Sequence, residues 1–301
     1  MNLKDNFSTD IAKKILWNKE NAKTFLLELQ KLKQFDLPFK VINRWKNKGK
    51  KELNLSTDQI WSKIVEFWDF ESGKKIIRKL FTQTEKYKSG KDSYRIMNIL
   101  LKEWKKLKLG EVSWPFSQWE FDSFVQKINS EKMLGIEKDK KVKDAAVKYR
   151  RIKEINTVRN DFIETLIFEK NENILPTLNH RRGVDFFIDG IPFDQKVAKS
   201  PTNQFKKTFG ENWKEYAKNN PEKVAEYLYK YQDEGRFAAD NRLLIVYLDD
   251  DISIEKIAEI IEKTDLENPL KITFEYTHNK GKPTEKVMTY KVSCFIILLS
   301  N

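Results

Sequence analysis

Asp185, Asp194 and Lys196 are the residues of this chain whose types and spacing best suit chemistry. They lie in the stretch Arg181-Arg182-Gly183-Val184-Asp185-Phe186-Phe187-Ile188-Asp189-Gly190-Ile191-Pro192-Phe193-Asp194-Gln195-Lys196-Val197. Apolar residues alternate on both sides of Asp189-Gly190, a strong short-range signal for a two-residue hairpin loop. Such a loop makes Ile188 face Ile191, Phe186 face Phe193 and Asp185 face Asp194. Period-2 alternation then places Val184, Phe186, Ile188, Phe193, Gln195 and Val197 on one face and Asp185, Asp194 and Lys196 on the other. Opposed side chains of a hairpin stand roughly 4.5–5.5 Å apart at Cβ, where like charges repel. Two carboxylates held so close either raise one pKa or recruit a cation. Magnesium suits them, because it takes oxygen ligands and keeps waters beside one or two carboxylates. Lys196, on the same face as Asp194, reaches a phosphate or a water next to the ion. Two acids, a lysine and a divalent ion together make a phosphodiester-cleaving site. Alone, Asp-x-Lys marks a solvated strand face with a weak ion pair; the aligned second Asp distinguishes this one. Asp189 is explained by its place in the turn.

Asp185, followed after a short hairpin by Asp194-Gln195-Lys196, resembles the PD-(D/E)XK nuclease superfamily, the restriction-endonuclease-like fold. Val184 stands where the motif has Pro, and Asp rather than Glu opens the triplet. The resemblance implies that Asp185 and Asp194 bind Mg2+ (Mn2+ substituting) and that Lys196 assists the attacking water. It also implies a helical Glu that completes the site as a third metal ligand. Glu164 holds that place in the family's order, with Asp161 and Glu169 as rivals on neighbouring helix faces. The implied core is helix, three strands, helix, strand, which the pattern from about residue 150 to 250 follows. The implied activity is a Mg-dependent endodeoxyribonuclease that hydrolyses phosphodiester bonds of double-stranded DNA. Within the superfamily the chain looks most like a type II restriction endonuclease, working as a homodimer in a prokaryotic cytoplasm. The alternatives are another nuclease of this superfamily (defence effector, repair enzyme, resolvase or transposon end-cutting subunit), a non-catalytic DNA-binding protein, or an enzyme acting on RNA.

Charge separates the two halves of the chain. Residues 1–150 hold 34 Lys and Arg against 20 Asp and Glu, whereas residues 151–301 hold 23 against 25. A basic half beside a carboxylate-bearing half points to polyanion binding in the first and chemistry in the second. Arg44, Lys46 and Lys48 lie in a Lys-rich stretch, and Arg181, Arg182 and Lys199 flank the hairpin; all six are candidates for phosphate contact. With His180 and His278 the only histidines, imidazole catalysis has little support. The single cysteine, Cys294, excludes an internal disulfide framework and suits a reducing compartment. No membrane-spanning segment or apolar signal region is expected.

The elements that must hold these residues are legible from periodicity. Ser8-Thr9-Asp10 caps a helix carrying Ile11, Ile15 and Leu16, and Ser56-Thr57-Asp58 caps one carrying Ile60, Trp61 and Ile64. Further helical patterns run over about 92–109, 142–170, 213–231 and 254–263. Leu243–Leu248 is a continuous apolar run, typical of a buried parallel strand. Residues 271–276 and 287–299 form a C-terminal β-hairpin. The expected fold is α+β or α/β. An all-helical basic DNA-binding region, 1–140, precedes a nuclease domain, 141–301, with a weakly patterned boundary at 135–143.

Overall fold

The computed structural model describes residues 2–43, 49–106, 118–178, 183–198, 200–231, 239–249 and 252–301. The chain begins with α1 (Thr9–Leu16), α2 (Lys19–Lys33), β1 (Phe39–Ile42), β2 (Lys50–Leu53), α3 (Thr57–Glu66), α4 (Phe70–Phe81), α5 (Glu85–Lys106) and α6 (Gln118–Ser130). The long α7 (Gly135–Lys170) leads into β3 (Ile174–Pro176), β4 (Phe186–Ile188) and β5 (Ile191–Ala198). Then come α8 (Asn203–Phe209), α9 (Trp213–Asn219), α10 (Pro221–Lys230), β6 (Arg242–Tyr247), α11 (Ile254–Lys263), β7 (Leu270–His278) and β8 (Lys286–Leu299). The fold is mixed α and β, with a six-stranded sheet in the order β3-β4-β5-β6-β8-β7 and a separate ribbon, β1-β2.

Local chemistry explains most boundaries. Ser8 accepts from the N–H of Ile11, and Ser56 and Gln59 form a reciprocal capping box at α3. One expected helix over 213–231 is two, α9 and α10, because Asn220-Pro221 intervenes and Pro221 opens the second. The region before residue 140 is not all-helical: β1 and β2 pair antiparallel, Phe39 against Leu53 and Ile42 against Lys50. That ribbon escapes pattern reading because it is exposed on both faces, so burial imposes no alternation on its lysines. The weakly patterned stretch 135–143 is the first part of α7, which runs on unbroken to Lys170. Its solvated outer face needs no apolar stripe there.

β6 is buried at every residue and runs parallel to both β5 and β8, as its continuous apolar run leads one to expect. The C-terminal hairpin is not an appendage; β8 lies inside the sheet, and β7 forms its edge. One sheet face, with Phe186, Ile188, Phe193, Leu243, Ile245 and Phe295, packs on Ile163 and Ile167 of α7 and Ile257 and Ile261 of α11. The opposite face is shared. Leu175 and Phe187 pack under α1–α4, whereas Leu244, Val246, Cys294 and Phe274 pack under α8–α10. β5 passes between these two coverings.

Arg78 ties the N-terminal helices to the sheet. From α4 its Nη1 donates to the carbonyls of Ile174 at 2.6 Å and Asn171 at 3.0 Å, and its Nη2 to that of Phe168 at 3.0 Å. The guanidinium thus satisfies carbonyls at the C-terminus of α7, where a cation also complements the helix dipole. It lies 4.1 Å from the centroid of the Phe168 ring. Arg78→Ala is expected to lower stability by about 3 kcal/mol, because three carbonyls lose a charged donor. Urea unfolding of the two proteins checks this, and an unchanged midpoint would show the clamp to be dispensable.

Candidate active site

The hairpin that carries the acids is set by its turn. Asp189 and Gly190 have φ of 49° and 81°, the doubly positive pair of a type I′ turn, and Phe186 faces Phe193 and Ile188 faces Ile191 as the loop length dictates. Gly190 is needed twice over: a Cβ there would also come within 2.3 Å of Asn2 Oδ1. Asp189 accepts from Asn173 Nδ2 at 3.1 Å and stays in the turn.

Alternation breaks at Asp185. Its N–H donates to Phe193 O at 3.0 Å while its own carbonyl accepts from the Thr177 N–H at 3.0 Å. Val184 accordingly packs with the α1–α4 cluster and not beside Phe186, contrary to strict period-2 expectation. The Asp185 carboxylate turns along β5, where Oδ2 accepts from the Gln195 N–H at 2.7 Å. Burial pushes its carboxyl above the ordinary range. The Gln195 N–H and the charge of Lys86 oppose that rise, and the nearby charge of Asp194 adds to it.

Asp194 is 9% exposed, and its Oδ2 pairs with Lys196 Nζ at 2.8 Å. In the parallel register Asp194 lies beside the buried Arg242 of β6, whose guanidinium sits 4.8 Å from the Tyr229 ring centroid. Lys196 is the outermost member of the group, its side chain 54% exposed.

Glu164 reaches the same place from α7. It is buried, four residues before Phe168 and so on the side of the helix that faces the N-terminal layer. Its Oε2 is ion-paired with Lys86 of α5, and its carboxyl feels the charges of Asp185 and Asp161. Burial pushes Glu164 up to about 7, against the pull of Lys86. Of the two rivals, Glu169 is engaged elsewhere, by Tyr87 Oη at 2.6 Å and Lys91 Nζ at 2.8 Å. Asp161 stands near Glu164 and contributes to its rise.

Lys86 is the member of the cluster that sequence reading does not reveal. Thr84-Glu85-Lys86-Tyr87 looks like any exposed helix start, and only the crossing of α5 with α7 buries the lysine. That crossing depends on Gly90, where a Cβ would lie 1.9 Å from Thr165 Oγ1. Ser93 Oγ, which donates to Ser89 O at 2.6 Å, also lies 3.1 Å from Val158 O across the crossing.

The structure therefore brings together Glu164, Asp185, Asp194 and Lys196, with Lys86 added. Arg181, Arg182, Lys199, Arg44, Lys46, Lys48 and His180 lie outside the described residues. Among the described residues, no three His, Cys, Asp or Glu side chains converge closely enough to hold a metal ion as they stand. The donor chemistry still fits one hard cation: two carboxylates share a partly buried site in which one resists ionising, and the lysine on the second is solvent-accessible. No helix among the described residues is long and apolar enough to cross a membrane.

Comparison of the chain with protein-family models gives no match, and comparison with curated proteins and with solved structures gives no significant match.

The raised Glu164 carboxyl fixes a pH dependence. Between pH 4.5 and about 7 the folded chain keeps a proton that the unfolded chain has released, so stability falls as pH rises through that interval. The shift from 4.5 to about 7 amounts to about 3 kcal/mol at most. Glu164→Gln is expected to flatten this fall, while the decline of the same sign that Asp185 contributes remains. Chemical denaturation of both proteins at pH 5, 6, 7 and 8 reads the slope; parallel curves would contradict it.

Proposed function

We propose that this chain is a Mg2+-dependent endodeoxyribonuclease of the PD-(D/E)XK, restriction-endonuclease-like kind, acting on double-stranded DNA. One observation carries the reading: Asp185 and Asp194 share one partly buried site on the β4-β5 hairpin, with Lys196 ion-paired to Asp194 and Glu164 supplied by the preceding helix. The element order supports it. A helix (α7), an antiparallel three-strand meander (β3-β4-β5), a helical segment (α8–α10) and a buried strand parallel to β5 (β6) follow one another. The group lies where β5 passes between two helical coverings, and Lys196 opens it to solvent.

Each residue has a role that its position allows. Asp185 and Asp194 would hold the magnesium ion, Asp185 being aimed by the Gln195 N–H. When bound, the ion supplies Lewis-acid stabilisation of charge developing on the scissile phosphate. Lys196, released from Asp194 into the solvent-facing side of the site, orients the attacking water and offsets phosphate charge. The neighbouring cations Lys86 and Arg242 limit the repulsion among the acids. The basic first half would hold the duplex through phosphate contacts, giving affinity that falls with salt. Within this class we favour a type II restriction endonuclease acting as a homodimer, in keeping with a chain that carries its own basic half.

The test is incubation of sequenced supercoiled plasmid with the protein, with and without Mg2+. Cutting that requires the ion is expected, and ends that map to one short sequence would identify a restriction enzyme. Asp194→Asn is expected to lower the cleavage rate about a thousandfold while DNA binding in a gel-shift assay is retained. Lys196→Ala is expected to cost about a hundredfold. DNA binding without cutting under any divalent ion would instead favour a non-catalytic DNA-binding protein, and wild-type rates in both variants would place the chemistry elsewhere.

A further inference from the structure

The two lysines of the acid cluster are held very differently. Lys196 pairs with Asp194 but remains 54% exposed, free to leave. Lys86 is only 12% exposed at its side chain, and its partner Glu164 only 10%. Its neighbours on α5, Lys88 and Lys91, have side chains 55% and 53% exposed and pair with surface acids, as helix lysines ordinarily do. Taking an ammonium out of water is costly, and the cost is offset only where a carboxylate meets it in good geometry. The close approach of α5 to α7 at Gly90 brings that burial about.

Charge counting then limits what the site takes up. Asp185 lies within reach of the charges of Glu164 and Asp194, and Asp161 adds a fourth acid near Glu164. The Lys86 ammonium acts on Asp185 as well as on Glu164. Once Glu164 is ionised, above about pH 7, Lys86 therefore offsets one acid equivalent from the inner side, and the buried Arg242, in register beside Asp194, offsets another. Four acids against these two cations leave the charge of one divalent ion once Lys196 swings away from Asp194.

We infer that Lys86 is a resident cation of the site: its ammonium, anchored by Glu164, fills the place of a second metal ion, so that the chain takes up a single divalent ion at Asp185 and Asp194. The inference rests on the proposed metal site and goes beyond it in two respects. Glu164 becomes the residue that positions Lys86 and is not itself a metal ligand, which departs from the role the family resemblance implies for it. The N-terminal helices, through α5, become part of the site as well as candidates for holding DNA.

Calorimetric titration with Mn2+ alone, at pH 8, where Glu164 is ionised, at fixed ionic strength and without DNA, tests this. The wild-type chain is expected to bind one ion. Lys86→Met is expected to bind a second ion, or the first about tenfold more tightly, because a cation has gone and Glu164 is freed. The double variant Lys86→Met/Glu164→Gln removes both buried charges together, which proteins tolerate better than breaking such a pair. It is expected to bind one ion within about threefold of wild type. Thermal melts report whether each variant folds; should Lys86→Met fail to fold, the double variant decides. Two ions in the wild type, wild-type behaviour in Lys86→Met, or a loss of more than about tenfold in the double variant would each overturn the inference. Asp194→Asn separates the two levels. Uptake abolished by Asp194→Asn but unchanged by Lys86→Met sinks only the role of Lys86, whereas wild-type uptake in Asp194→Asn removes the metal site itself.

Discussion

A carboxylate withdrawn from water must be protonated or meet a positive charge, and this chain withdraws three of them into one neighbourhood. Glu164 and Asp194 are buried and Asp185 is partly so, each within reach of another's field. The surrounding structure is arranged to make that tolerable. Lys86 meets Glu164, Lys196 meets Asp194, and the Gln195 N–H meets Asp185. None of these partners is a sequence neighbour of its acid except Lys196. The site therefore exists only because separate elements are clamped together, and the clamps can be named. Gly90 admits α5 to α7, Arg78 fixes the C-terminus of α7 to β3, and the Asp189-Gly190 turn sets the register of β4 on β5.

The way the sheet is covered explains why the acids are accessible at all. Helices α1–α4 cover β3 and β4 on one face, and α8–α10 cover β6, β8 and β7 on the same face. β5 lies between, so its residues on that side grade from buried Asp194 to exposed Lys196 within three positions. In the proposed nuclease this gradient is useful. The metal-holding carboxylates stay partly dry, where electrostatic interactions are strong, while the lysine meets the incoming phosphate at the rim. Arg242, in register beside Asp194, adds a fixed positive charge behind it.

For the basic excess in the first half of the chain we propose polyanion binding. The structure gives that half a second task. Its core is continuous with the sheet through Leu175, Leu178, Phe168 and Phe187, and it sends Lys86 and Arg78 inward. The division at residues 140/141 falls inside α7, a helix that packs against both α5 and the sheet. Binding of DNA to the helical layer would thus act on elements that also hold the acids.

Much of the site was written locally. The Asp-Gly pair with alternating apolar neighbours determined a two-residue hairpin loop and its register, because the primed turns that such a pair adopts match the strand twist. The continuous apolar run at 243–248 determined a strand buried on both faces, and Ser8 and Ser56 determined where α1 and α3 begin. Glu164 stood out only by its order along the chain. What the sequence left undetermined depends on contacts between distant elements. Lys86 is chemically indistinguishable from the lysines around it until α5 crosses α7 at Gly90, and Arg78 acquires its role only when the end of α7 arrives beside α4. The break in alternation at Asp185 likewise needs Phe193 and Thr177 as its partners. Periodicity and turn chemistry report forces between residues a few positions apart, whereas the pairing of buried charges is settled by which helices pack together, and only the tertiary fold decides that.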